Sequence, residues 1–134
     1  MPVKAFIDTN VVIYALGPQS AKASLAATLF ATRPIISTQV LSETANVASK
    51  KLGLPASEVR KLLTTLESMC SVEIVIPATM HHALGIVDRY GFSWYDSLII
   101  ATALDAGCDT LYTEDMQHGQ LIEGKMTVTN PFSV

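Results

Sequence analysis

Short apolar runs alternate along the chain with longer amphipathic or alanine-rich stretches. Val3 to Ile7 reads as a buried strand, and Asn10 to Leu16 as a brief helix that Gly17-Pro18 terminates. Ser20 is placed to cap a helix running to about Thr32, after which Ile35-Ile36-Ser37 predicts a second short strand. A helix from about Thr38 to Leu52 is closed by Gly53, and Pro55 opens another that reaches about Met69. Val72 to Ile76 predicts a third strand stopped by Pro77, Thr79 to Tyr90 a helix ended by Gly91, and Trp94 to Ala106 a helix capped by Ser93. Thr110 to Tyr112 is a fourth strand, and Met126 to Thr129 a fifth at an edge, just ahead of Pro131. Strands separated by helices pair in parallel, so the pattern predicts an α/β fold with helices on both faces of the sheet.

One run breaks this pattern. Phe6-Ile7-Asp8-Thr9-Asn10-Val11-Val12-Ile13 places a carboxylate, a hydroxyl and an amide amid apolar neighbours. In an open parallel sheet ligands bind outside the carboxyl ends of the strands, because loops and helix N-termini meet there. Asp8 follows the first strand and Asp115 the fourth, so two distant acids reach one edge. Each also has a structural alternative: Asp8 caps the helix behind it, and Glu114-Asp115 forms a solvated loop.

Asp96 lies in the first turn of a helix whose Leu98, Ile99, Ile100, Ala101, Ala103 and Leu104 are apolar nearly all round, the mark of a buried central helix. Ser93-Trp94-Tyr95-Asp96 fits a capping box, a role compatible with function because a carboxylate has a second oxygen to offer. Glu43 falls beside Val40 and Val47, at the margin of its helix's apolar face, where a partly buried acid paired with a nearby lysine is the alternative.

At 134 residues, 49% hydrophobic and 16% charged, the chain supports one domain over residues 1–134 with a full core, and argues against disorder. The formal net charge of −3 gives no global attraction to nucleic acid or anionic membranes. Lys50-Lys51 and Arg60-Lys61 read as solvated helix faces. Cys70 and Cys108 lack the spacing of a zinc site and read as buried thiols in a reducing compartment. No apolar run reaches the ~18 residues needed to span a bilayer, and Asp8 and Asn10 interrupt any signal-peptide core. The expectation is a soluble, cytoplasmic protein with no membrane partner.

Four carboxylates in one crevice repel one another and raise each other's pKa unless a cation offsets the charge. Oxygen donors with no His or Cys suit a hard ion, Mg²⁺ or Mn²⁺, which keeps waters and bridges to phosphate oxygens. That donor set supports metal-assisted phosphodiester hydrolysis, in which the cation also attracts the phosphate that an acidic protein repels.

The chain resembles the PIN-domain nucleases and, within them, the VapC-type toxins of bacterial and archaeal toxin–antitoxin pairs. The resemblance rests on Ile7-Asp8-Thr9-Asn10, on Ser42-Glu43, on Ser93-Trp94-Tyr95-Asp96-Ser97-Leu98-Ile99, and on Leu111-Tyr112-Thr113-Glu114-Asp115-Met116-Gln117-His118-Gly119, in the family's order and spacing. It implies a three-layer α/β/α sandwich around a small, mostly parallel sheet, one or two bound Mg²⁺ or Mn²⁺ ions, and endonucleolytic cleavage of RNA. By position, Asp8, Glu43, Asp96 and Asp115 form its catalytic quartet, with Asn10 and Thr113 as supporting polar groups. Asp8, Asp96 and Asp115 are the implied metal ligands, with Glu43 acting through water. Adjacent Glu114 leaves open which acid of the pair faces the metal, and the motif favours Asp115. The resemblance also implies a homodimer, with a surface from the second and third helices, and a small antitoxin partner.

Two rival readings are weaker. A phosphatase of the haloacid-dehalogenase type needs a second aspartate two residues after the first, and Asn10 stands there. A catalytically inactive module that binds RNA or protein needs no acidic quartet. His81 and His82 point about 100° apart on a helix and cannot both face one ion; they read as solvated or marginal, and His118 as variable.

Overall fold

The structure, a computed structural model, describes residues 3–133. The strands are β1 (Ala5–Ile7), β2 (Ile35–Ser37), β3 (Ser71–Glu73), β4 (Thr110–Tyr112), β5 (Leu121–Ile122) and β6 (Met126–Thr129). The helices are α1 (Thr9–Leu16), α2 (Ala21–Thr28), α3 (Thr38–Lys50), α4 (Ala56–Met69), α5 (Pro77–Tyr90) and α6 (Trp94–Asp105), with a 3₁₀ turn at Leu29–Thr32. The sheet runs β3-β2-β1-β4-β6-β5, parallel throughout except for the β5–β6 pair.

That order explains the layers. From β1 to β2 to β3 the chain steps one way across the sheet, then returns past β1 to reach β4. Parallel crossovers are right-handed, so a reversal of direction puts α1 to α4 on one face and α5 and α6 on the other. The core between them is apolar: Phe6, Ile7, Ile36, Leu111 and Val128 from the strands meet Val11, Val12, Val40, Leu66, Ile99 and Ile100 from the helices. The α/β/α sandwich with a small, mostly parallel sheet is therefore present. Between β1 and β4 the chain changes direction, which opens a crevice at their carboxyl ends.

Apart from shifts of one or two residues at several ends, the predicted elements differ from the observed ones in three places. The third strand is Ser71–Glu73, not Val72 to Ile76. Its partner β2 is only three residues long, because Ser37 turns out of the sheet to cap α3 through the Val40 amide, so Ile74 and Ile76 stand exposed beyond the pairing. Met126–Thr129 is not the edge strand: it lies between β4 and β5, a two-residue strand too short to leave a periodic signal. The helix expected to reach Thr32 tightens to 3₁₀ after Thr28, ending where Arg33 turns left-handed ahead of Pro34.

Among the described residues no helix is long and apolar enough to cross a membrane. Cys70 and Cys108 are buried and unpaired with each other, and burial pushes their thiols up to about 11 and about 12.

Candidate active site

Asp8 follows β1 directly. Its backbone N–H continues the β1–β4 ladder by donating to the Tyr112 carbonyl, while its side-chain Oδ1 accepts from the Thr9 amide at 2.7 Å and so caps α1. One residue thus ends a strand, starts a helix and points a carboxylate along the crevice. It is 5% exposed.

The second oxygen is held from β4. Thr113 follows β4 directly and its hydroxyl donates to Asp8 Oδ2 at 2.9 Å. Asn10 fits the same space: its Nδ2 lies 3.3 Å from Asp8 Oδ2, 3.1 Å from Thr113 Oγ1 and 3.0 Å from Asp115 Oδ2. Its Oδ1 accepts from the Glu114 backbone amide at 3.0 Å. Asn10 therefore ties the loop after β4 to the first turn of α1, and the β1–β4 register, with Ile7 opposite Tyr112, makes this possible.

Glu43 enters from α3 through Thr9, whose hydroxyl donates to Glu43 Oε1 at 2.8 Å. Asp96 enters from the first turn of α6, where its amide donates to Ser93 Oγ at 3.2 Å. The return bond of a capping box, from the Asp96 carboxylate to the Ser93 amide, is not formed among the described residues, which leaves that carboxylate for the crevice.

Glu114 and Asp115 diverge. Glu114 takes a hydrogen bond from Tyr14 at 3.0 Å and pairs with Lys22, whose ammonium also lies over the Tyr14 and Phe132 rings, and this pairing holds the Glu114 carboxyl below its usual range. Asp115 lies on Asn10, toward Asp8.

The electrostatics bind the four acids into one group. Burial pushes the Asp8 carboxyl up to about 6, against the hydrogen bonds from Thr113 and Thr9, and the charges of Asp96 and Glu43 add to the rise. Burial also raises Asp96, opposed by Ser93 and assisted by the charge of Asp115. Among the described residues none of these acids has a Lys, Arg or His partner. The donor set fits a hard divalent cation in its chemistry. No three His, Cys, Asp or Glu side chains among the described residues group closely enough to hold one ion jointly. A cation here would take one or two carboxylates and fill its shell with water, the habit of Mg²⁺.

Sequence reasoning passed over Tyr14, Lys22 and Gln39, whose Nε2 donates to the Tyr95 carbonyl at 3.2 Å, and noted Thr9 without its bond to Glu43. The hydroxyl of Thr9 inside the apolar run was a readable signal, whereas the link from Lys22 to Glu114 spans 92 positions and left none. His82 was read as marginal, yet both ring nitrogens are engaged, Nδ1 by Asp105 at 2.8 Å and Nε2 by Glu123 at 3.0 Å, well outside this site. His118 Nδ1 accepts from the Asn130 amide and touches none of the acids.

This fold and its strand-end acids define a PIN domain. The chain belongs to the PIN domain family, whose match covers residues 5–121. Among solved structures its fold is similar to the Mycobacterium tuberculosis toxin VapC20, described as cleaving the sarcin–ricin loop, with 22% identity, 84% of this chain and 90% of that chain covered, and a TM-score of 0.69. It is also similar to a toxin–antitoxin complex from Klebsiella pneumoniae, with 20% identity, 98% and 100% covered and a TM-score of 0.74. DNA-bound VapBC from Salmonella typhimurium gives 20% identity, 97% and 99% covered and a TM-score of 0.72. No protein among the curated sequences matches the chain.

Proposed function

We propose that this PIN domain is an endoribonuclease dependent on Mg²⁺ or Mn²⁺, and the toxin of a type II toxin–antitoxin pair. The observation that carries the reading is Asp8: a carboxylate 5% exposed, without a cationic side chain, at the crevice where the charges of Asp96 and Glu43 reach it. Isolated buried carboxylates are costly, and a divalent ion converts that cost into a binding site.

When bound, such a cation activates water and stabilises the leaving oxygen of a phosphodiester. Asp8 and Asp96 would be its direct ligands, Asp115 would act through water or hold a second ion, and Glu43 would orient water from the α3 side. Thr113, Thr9 and Asn10 keep the carboxylates in place before any ion arrives, so little reorganisation remains at the moment of reaction.

Support for a toxin comes from the fold shared with VapC20 and with toxin–antitoxin complexes. We assign a protein partner to the apolar cleft between α1, α3 and α4, lined by Ile13, Leu16, Val47, Leu52, Leu54 and Leu62 and enclosing about 470 Å³, which contains none of the four acids. A homodimer belongs to the same reading.

The test is cleavage of structured RNAs with Mn²⁺. Activity should vanish with EDTA and in Asp8→Asn and Asp96→Asn; cleavage that persists under both conditions sinks the mechanism. Wild-type protein inert on RNA selects the non-catalytic binding module instead. An adjacent reading frame encoding a small DNA-binding protein supports the toxin, and its absence favours a PIN nuclease of RNA processing.

A further inference from the structure

Glu43 and Asp96 reach the crevice from different layers, Glu43 on α3 from one face of the sheet and Asp96 on α6 from the other. Among the described residues a single side-chain hydrogen bond joins these two helices. Gln39, one turn of α3 ahead of Glu43, donates from Nε2 to the carbonyl of Tyr95, the residue before Asp96, at 3.2 Å.

Both ends of this bond are anchored. Gln39 stands in a first turn that Ser37 caps through the Val40 amide, and the hydroxyl of its neighbour Thr38 accepts from the Val75 amide at 3.1 Å. On α6 the Asp96 amide donates to Ser93 Oγ, and every residue from Ser97 to Ala103 is buried. The amide of Gln39 therefore bridges two fixed pieces of backbone.

Stability does not explain that amide. In an α-helix a first-turn carbonyl already accepts from the amide four residues on, so the Tyr95 carbonyl needs no second donor. Turning the Gln39 amide over would set two oxygens against each other, so the network fixes its orientation. In that orientation Gln39 Oε1 is buried and has no partner. A buried acceptor left without a hydrogen bond costs at least what one neutral hydrogen bond contributes, so the side chain gains nothing net for the fold. An unbranched apolar chain would fill the space without that cost, and a local rule broken in this way marks a functional position.

Asp96 is the acid that needs holding. Asp8 is fixed by Thr9 and Thr113, Glu43 by Thr9, and Asp115 by Asn10, each from a different element or loop or from the adjoining turn. The Asp96 carboxylate is steadied only by Ser93, the cap of its own helix. Its place in the crevice depends on where its backbone is held.

Resting on the nuclease reading above, we propose that Gln39 is a positioning residue for the reaction: through the Tyr95 carbonyl it sets Asp96 against Glu43, so that acids from two layers meet one hydrated cation. Gln39 itself touches neither the cation nor the RNA.

The test uses the full chain, with Mn²⁺ as the probe and Gln39→Met, which keeps an unbranched side chain and removes its hydrogen bond. Positioning predicts a melting temperature in EDTA that is unchanged or higher and an affinity for Mn²⁺ that is about tenfold weaker. At fixed Mn²⁺ it predicts a kcat on RNA lowered about tenfold with KM for RNA unchanged. A melting temperature that falls in EDTA together with kcat makes Gln39 a structural residue and overturns the proposal. So does an unchanged affinity for Mn²⁺, or a loss confined to KM. A wild type that takes up Mn²⁺ yet cuts no RNA overturns the nuclease reading alone, and the melting and Mn²⁺ arms then decide Gln39. A wild type that takes up no Mn²⁺ overturns both.

Discussion

Asn10 and Asp115, 105 positions apart, are joined by a 3.0 Å hydrogen bond from Nδ2 to Oδ2, and the same amide reaches Asp8 and Thr113. Asn10→Ala removes three contacts and the acceptor for the Glu114 amide together. The expected result is a loss of RNA cleavage of roughly 10- to 100-fold, the usual cost of releasing a supporting residue. The stability loss should be about 1–2 kcal/mol, since buried hydrogen-bond partners are left behind. Cleavage assays and urea melts check the two separately.

Asp8 predicts a trade between stability and activity. Its folded-state pKa lies at about 6, above the unfolded value of 3.8. Its contribution is therefore fully present below pH ~4 and is lost as the pH rises through about 6, so the ionised carboxylate costs stability at neutral pH. Asp8→Asn sets an amide NH₂ where a carboxylate oxygen accepts, a cost at every pH, but from pH 4 to pH 7.5 the stability of the variant relative to wild type, read by thermal melts, should rise by about 1–3 kcal/mol. The variant should be inactive. Divalent cation should raise the wild-type melting temperature and not that of the variant.

The divergence of Glu114 and Asp115 sets unequal outcomes for two adjacent acids. Asp115→Asn should lower cleavage more than about 100-fold, whereas Glu114→Gln, which loosens only the Lys22 and Tyr14 contacts, should cost less than about tenfold. The reverse ranking would place Glu114 in the crevice.

His82 gives a second pH dependence, far from the acids. Burial opposes its charge, yet the hydrogen bonds with Glu123 and Asp105 outweigh it and raise its pKa above 6.5. The resulting stability is present below pH ~6.5 and fades as the pH rises through the folded value. His82 links α5 to the end of α6 and to the turn before β6, so His82→Gln should destabilise by about 1 kcal/mol at pH 6 and by less at pH 9. Thermal melts across that range check it.

Much of this site was legible because a parallel α/β sheet sends strand ends to one edge: once Val3 to Ile7 and Thr110 to Tyr112 read as strands, Asp8 and Asp115 were due at the same edge. Glu43 was readable from its place at the margin of an apolar helix face. What the sequence hid was lateral. Ile74 and Ile76 are apolar yet exposed, because a strand pairs no further than its neighbour extends, and β2 ends at Ser37. Gln39 and Lys22 carry no local pattern, and their partners Tyr95 and Glu114 come from the far side of the chain.

Synthesis from the amino end places Asp8 in the growing chain early and Thr113 and Asp115 late. Until β4 has emerged and paired with β1, Asp8 lacks the hydroxyl that holds it and the loop that Asn10 anchors. A growing chain therefore carries no assembled site until the segment that holds β4 has emerged and paired with β1.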